Sequence, residues 1–198
     1  MWDQRYASKD YFYGTEPCDF LVRNAALLEP GRKALAIADG EGRNSVFMAE
    51  KGLQVTAMDS SAVGLKKAKQ LAESRNVHID FRLADLRSWM WEPDRYDLVA
   101  AIFIQFADPE FRAEIFDGIE QTLTLGGVVM LHGYTTRQIE YGTGGPPVAE
   151  RLYTREMLAN RFSDWDIIRL AEYDAEIQEG VGHSGFSALV DLVARCPG

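Results

Sequence analysis

Between residues 33 and 134 the chain repeats one arrangement: an apolar run of strand type, a stop at a small or acidic residue, and then a segment of different spacing. The runs are "KALAIA" from Lys33, "LQVTAMD", "VHIDFRLAD", "YDLVAAIFIQF" and "GVVMLHGY". Parallel strands need a crossover between them, usually a helix, so this alternation restricts the chain to an α/β fold with a mostly parallel sheet. The fourth run is apolar throughout, as a central strand covered on both faces must be.

Start and stop signals divide the runs from the helices. Arg43 to Lys51 reads as a helix closed by Gly52, and Ser60 or Ser61 caps a second helix with Leu65, Ala68, Leu71 and Ala72 at helical spacing. Asp108-Pro109-Glu110 supplies a cap, a first-turn proline and an acid ahead of the stripe Phe111, Ile115 and Ile119. Thr154 caps a short helix through about Phe162. The tail changes character: "WDIIRLAEYDAEIQEG" and "GFSALVDLVARC" flank the turn-like "GVGHSG", which reads as an antiparallel hairpin.

Composition narrows the function classes. The 198 residues suit a single domain, 1–198, and 46% hydrophobic residues can fill its core. A net charge of −9 opposes a phosphate backbone, so no nucleic-acid partner is expected. Cys18 and Cys196 have no metal-ligand spacing, and no metal is expected. The polar, aromatic start does not read as a secretory signal and no apolar run reaches ~20 residues, so a cytoplasmic chain without membrane attachment is expected.

In such sheets ligands bind at the carboxyl ends of the strands. The first run ends in Asp39-Gly40-Glu41-Gly42, where glycines permit a tight turn and the next helix offers free N–H groups. Asp59 ends the second run, placed to accept ribose hydroxyls, and Asp85 ends the third, near where an adenine amino group would lie. The dinucleotide fingerprint G-x-G-x-x-G fails because its third glycine is Ser45, and no GK[ST] follows, which disfavours nicotinamide dinucleotides and triphosphates.

These residues together resemble the class I S-adenosylmethionine-dependent methyltransferases. "LAIADGEGRN" resembles the first motif, "VTAMDSSAVGLKKAKQLA" the second, "RLADL" the adenine-contact segment, "YDLVAAIFIQF" the fourth motif and "LTLGGVVMLHGY" the fifth. "YGTEP", "YGTGGPP", "LYTREML" and the tail look like the tellurite-resistance-type, small-molecule branch. The resemblance implies a Rossmann-like sheet of seven strands with a C-terminal antiparallel hairpin and helices on both faces. It implies S-adenosyl-L-methionine as cofactor, held by Asp39, Gly40, Gly42, Arg43, Asn44, Asp59, Ser60, Ala84, Asp85, Leu86 and Gln105, and a small-molecule acceptor, in a monomer or homodimer. The sequence departs from the family at Ala36, where an acid is usual, and at Ala38, where the first glycine is usual; Asp39 stands close enough to replace the acid.

A sulfonium methyl is already activated, so the protein's main task is alignment, with proton removal needed only for some acceptors. His183 and Tyr141 are the candidate acceptor-side groups, while His132 reads as a satisfied strand histidine and His183 as a turn histidine that water also suits. The "YGTGGPP" loop and the N-terminal aromatics can cover the site, or simply connect and pack. Trp89 and Trp91 flank the adenine region or serve the core. The altered first motif also leaves room for a non-catalytic S-adenosylmethionine-binding sensor or scaffold.

Overall fold

The computed structural model describes residues 1–198. Its strands are β1 (Lys33–Ile37), β2 (Gln54–Asp59), β3 (Asp80–Leu83), β4 (Tyr96–Ile102), β5 (Leu123–Tyr134), β6 (Asp166–Glu179) and β7 (His183–Arg195). They form a seven-stranded sheet in the order β3-β2-β1-β4-β5-β7-β6. The pairs β1–β2, β2–β3 and β4–β5 are parallel and β5–β7 is antiparallel, so the expected Rossmann-like sheet with reversed C-terminal strands is what the chain forms.

The helices are α1 (Trp2–Arg5), α2 (Asp19–Arg23), α3 (Arg43–Glu50), α4 (Ala62–Ser74), α5 (Pro109–Thr122), α6 (Gln138–Tyr141) and α7 (Arg155–Arg161). Local chemistry sets their starts. Ser61, rather than Ser60, caps α4 by accepting from the Gly64 N–H at 3.0 Å; Asp108 does the same for Phe111 at 2.9 Å and Thr154 for Met157 at 3.1 Å. None of the helices is long and apolar enough to cross a membrane.

The chain packs as two compact units, Met1–Met90 with Glu179–Gly182, and Trp91–Gln178 with His183–Gly198. In the first, α3 and α4 bury Val46, Met48, Leu65, Ala68 and Leu71 with the strand residues Leu35, Val55 and Ala57. In the second, β4 is buried almost end to end, and the α5 stripe Phe111, Ile115 and Ile119 is buried as its spacing required. Each such valine, leucine, isoleucine, methionine or phenylalanine contributes roughly 1.5–3 kcal/mol when fully buried. Gly118 on α5 leaves room for the Trp91 indole, which a Cβ would strike, so Trp91 is a packing residue of α5.

Two local expectations change. The third strand is only Asp80–Leu83, mostly exposed, rather than the whole of "VHIDFRLAD". His183 is not an exposed turn residue: it opens β7 and is 6% exposed, because the turn between β6 and β7 closes within residues 180–182.

Candidate functional site

The turn after β1 lies in the first unit, and its backbone decides what can stand there. Ala38, Gly40 and Gly42 all take positive φ, 49°, 64° and 92°. The Asp39 N–H donates to the Met58 carbonyl at 3.1 Å, tying the turn to the end of β2. Gly40 has no space for a side chain, since a Cβ would come 2.7 Å from the Tyr6 hydroxyl oxygen. Gly42 is held more firmly, because a Cβ there would come 2.7 Å from the Ala68 Cβ and 2.8 Å from its backbone Cα on α4. One glycine therefore makes room for a side chain of the N-terminal segment and the other for a neighbouring helix.

Two carboxylates frame this turn. Asp59 accepts from the Gly40 N–H at 2.8 Å and from the Ser61 N–H at 2.7 Å. Burial pushes its carboxyl above the usual range, against the pull of those backbone N–H groups. Asp39 accepts from the Ser45 hydroxyl at 2.5 Å and the Ser45 N–H at 3.3 Å. Loss of water pushes Asp39 up to about 7; its bonds to Ser45 oppose the rise and the nearby charge of Asp59 adds to it. A cationic group brought to this turn would favour the charged form of both acids.

The remaining residues of this unit divide by environment. The Arg43 guanidinium donates to Glu179 at 2.7 Å, and Asn44 Oδ1 accepts from the Cys18 N–H at 3.0 Å, so both face protein partners. The Ala84 N–H donates to the Asp59 carbonyl at 3.0 Å, Asp85 is exposed and accepts from the Arg87 N–H at 2.9 Å, and Leu86 is buried. Ser60 is exposed. Glu41 was invisible as a site residue in the sequence. It is 3% exposed, pairs with Lys67 Nζ at 2.6 Å, and accepts from the Phe12 N–H at 2.7 Å. Only its place between two glycines marked it.

The second unit holds the other expected residues. Gln105 uses both ends of its amide on one backbone unit: Oε1 accepts from the Tyr134 N–H at 2.6 Å and Nε2 donates to the Tyr134 carbonyl at 2.7 Å. His183 packs 4.1 Å from the Phe103 ring and edge-on to Tyr134 at 5.6 Å. Phe103 follows β4 with φ of 54°, and its ring also meets His132 at 4.8 Å. Sequence reasoning missed this cluster because no spacing rule marks a left-handed phenylalanine. Tyr141 belongs to a separate polar triad, accepting from Arg137 at 3.0 Å and donating to Asp174 at 3.1 Å.

His132 is the satisfied strand histidine expected of it, its Nδ1 2.8 Å from Asp191. Burial works against the Asp191 carboxylate, but hydrogen bonds from His132, Arg169 and Tyr173 outweigh it and hold the group below its usual range. A cleft of about 490 Å³ in this unit is lined by Thr135, Arg137, Thr154, Arg155 and Glu172 among others, and by none of the site residues expected from sequence.

Residues 34–127 match the family described as "Methyltransferase domain". The chain is 32% identical over 116 residues to the tRNA 5-carboxymethoxyuridine methyltransferase of Escherichia coli (strain K12), covering 54% of this chain and 43% of that protein. It is 21% identical over 175 residues to the probable S-adenosyl-L-methionine-dependent methyltransferase TehB of Haemophilus influenzae, covering 86% of this chain and 60% of that one. The chain thus spans less than two thirds of these curated relatives. The crystal structure of TehB from Haemophilus influenzae superimposes with a TM-score of 0.73 at 18% identity, over 98% of this chain and 65% of that one, which establishes the shared fold. The resemblance to class I S-adenosylmethionine-dependent methyltransferases of the TehB type, read from the motifs, is borne out.

Proposed function

We propose, from the premise that residues 34–127 match a methyltransferase domain, that this chain is an S-adenosyl-L-methionine-dependent methyltransferase acting on a small molecule. The observation that carries it is the bond from the Gly40 N–H to Asp59, which joins a glycine turn after β1 to an acid ending β2. That pairing suits a nucleoside whose ribose hydroxyls bond the acid. In this reading Asp59 takes the ribose, Asp39 faces the methionine ammonium, and Gly40, Gly42 and Ser60 shape the turn. Ala84, Asp85 and Leu86 form the adenine edge. Arg43 and Asn44 act chiefly by fixing the backbone around the cofactor, and Gln105 by fixing the backbone of Tyr134 in its own unit.

The sulfonium supplies the methyl and the leaving group; the chain's part is to hold the acceptor in line and exclude water. His183, enclosed by Phe103 and Tyr134, and Tyr141, bonded to Arg137 and Asp174, are the acceptor-side groups. Residues 1–198 work as one catalytic domain in this proposal, in the cytoplasm and without a membrane.

A melting comparison with S-adenosylmethionine, S-adenosylhomocysteine and NAD tests the cofactor, since a ligand of the folded state raises its stability. Shifts with both adenosyl ligands and none with NAD are expected; no shift with either adenosyl ligand overturns the reading. The likeness to a tRNA methyltransferase favours a second acceptor class. The net charge of −9 argues against it, and methyl transfer from labelled cofactor to tRNA and to a small-molecule panel decides. Binding without turnover on every acceptor would identify the sensor instead.

A further inference from the structure

Glu41 has no part in the reaction just proposed, yet it sits buried in the middle of the glycine turn with its charge fully engaged. Its Oε1 takes Lys67 Nζ at 2.6 Å, and its Oε2 takes the N–H groups of Phe12 and Tyr13 at 2.7 and 3.4 Å. Lys67 turns its remaining capacity to the same segment, donating to the Asp10 carbonyl at 2.7 Å, while the Tyr11 hydroxyl donates to the Lys67 carbonyl at 3.0 Å. A buried ion pair is a poor way to gain stability, because desolvation consumes most of the attraction. It is a good way to hold one segment in one place.

The segment held is residues 2–13. Its far end is tied by Asp3, which accepts from the Ser61 hydroxyl at 2.5 Å and the Val63 N–H at 3.2 Å. Between the two ties Tyr6 is 4% exposed, its hydroxyl against Gly40 and its ring against Gly64. Asp59 beside it is 6% exposed, and its charge helps burial raise the Tyr6 hydroxyl above its ordinary range. A ribose can reach Gly40 and Asp59 only when Tyr6 moves aside. The segment's own regular structure is a four-residue helix, too short to hold by itself, so its ties determine how often it opens.

We propose that residues 2–13 form a strap over the nucleoside end of the turn, and that the Glu41–Lys67 pair is the latch whose release admits and frees the cofactor. The proposal rests on the reading of this turn as the cofactor site. In it the strap and the latch set the rate of cofactor exchange in both directions.

The test mixes the full chain rapidly with S-adenosylhomocysteine and follows tryptophan fluorescence, Trp2 being stacked on Tyr6 at 5.8 Å. Amide hydrogen exchange is measured over residues 3–14 without ligand. The double variant Glu41→Gln with Lys67→Met removes both charges together. Association, dissociation and strap exchange are all expected to speed up about tenfold, the loss of about one charge-assisted hydrogen bond. Asp3→Ala, at an exposed anchor, repeats the test without touching buried charge and is expected to give a rise of about threefold in the same three rates. Unchanged rates in the folded variants overturn the strap while leaving the cofactor site intact. Failure of the unaltered chain to bind either adenosyl ligand overturns both.

Discussion

Ala38 and Phe103 take the same strained backbone conformation at equivalent places, one directly after β1 and the other directly after β4, with φ of 49° and 54°. A side chain in that region costs roughly 1–2 kcal/mol, so each turn is held by its surroundings. The surroundings could hardly differ more. Around Ala38 stand the carboxylates of Asp39, Asp59 and Glu41, with backbone N–H groups and Lys67 as partners. Around Phe103 stand the rings of His132, Tyr134 and His183. One backbone device thus stands in two settings: the first turn is framed by charged and hydrogen-bonding groups, and the second is packed among rings.

Breaking each turn at its anchor gives the largest effects. Lys67→Ala leaves Glu41 buried without its cation and is expected to lower stability by about 3–5 kcal/mol, read as a thermal melt roughly 10 °C lower. Phe103→Ala removes the central ring of the cluster at a cost of about 3 kcal/mol. If that variant melts with the unaltered chain, the second turn is not held by its rings. Asp59→Ala is expected to weaken S-adenosylhomocysteine binding by about 10- to 100-fold in calorimetry, the worth of hydrogen bonds to a charged group.

Two smaller changes refine the contrast. Asp39 is pushed up to about 7 from an ordinary 3.8, so between those values the folded chain keeps a proton that the unfolded chain has lost. That contribution to stability is fully present below about pH 4 and gone above about pH 7. Asp39→Asn is therefore expected to raise the melting temperature at pH 8 relative to the unaltered chain and to change it little at pH 4. If Asp39 pairs with the cofactor ammonium, affinity rises with pH through about 7 and the Asn variant loses that slope; a flat profile in the unaltered chain assigns the ammonium elsewhere. Ala38→Gly removes the left-handed strain and is expected to raise the melting temperature by about 2–4 °C, a gain that Phe103→Gly cannot match because it also forfeits the ring.

The sheet was legible because its signals are local and redundant. Apolar runs, caps at Ser61, Asp108 and Thr154, and the stop at Gly52 each point to the same boundaries. The short helices α1, α2 and α6 escaped because four or five residues carry no period and form only against tertiary partners. The reversal before β7 was misjudged because its glycines spread over residues 180–185, and only packing shows that Gly185, at φ 119°, lies inside the strand. At the site, the positions of Gly40 and Asp59 could be read from spacing, but their partners could not. That Gly42 answers to Ala68, Arg43 to Glu179 and Glu41 to the N-terminal segment depends on residues 26 to 136 positions apart.

Gln105 extends β5's pairing by other means. The ladder between β4 and β5 ends at Ile102 opposite His132, two residues before β5 itself ends at Tyr134. There the Gln105 amide offers one donor and one acceptor to the N–H and carbonyl of Tyr134, as a paired peptide group would. It is a side chain impersonating a strand, and it splices the last residue of β5 to the segment beyond β4. The splice requires an amide: a glutamate there would set a second acceptor against the Tyr134 carbonyl, and an alanine would take the acceptor from the Tyr134 N–H and leave the carbonyl to the Tyr153 N–H, 3.1 Å away.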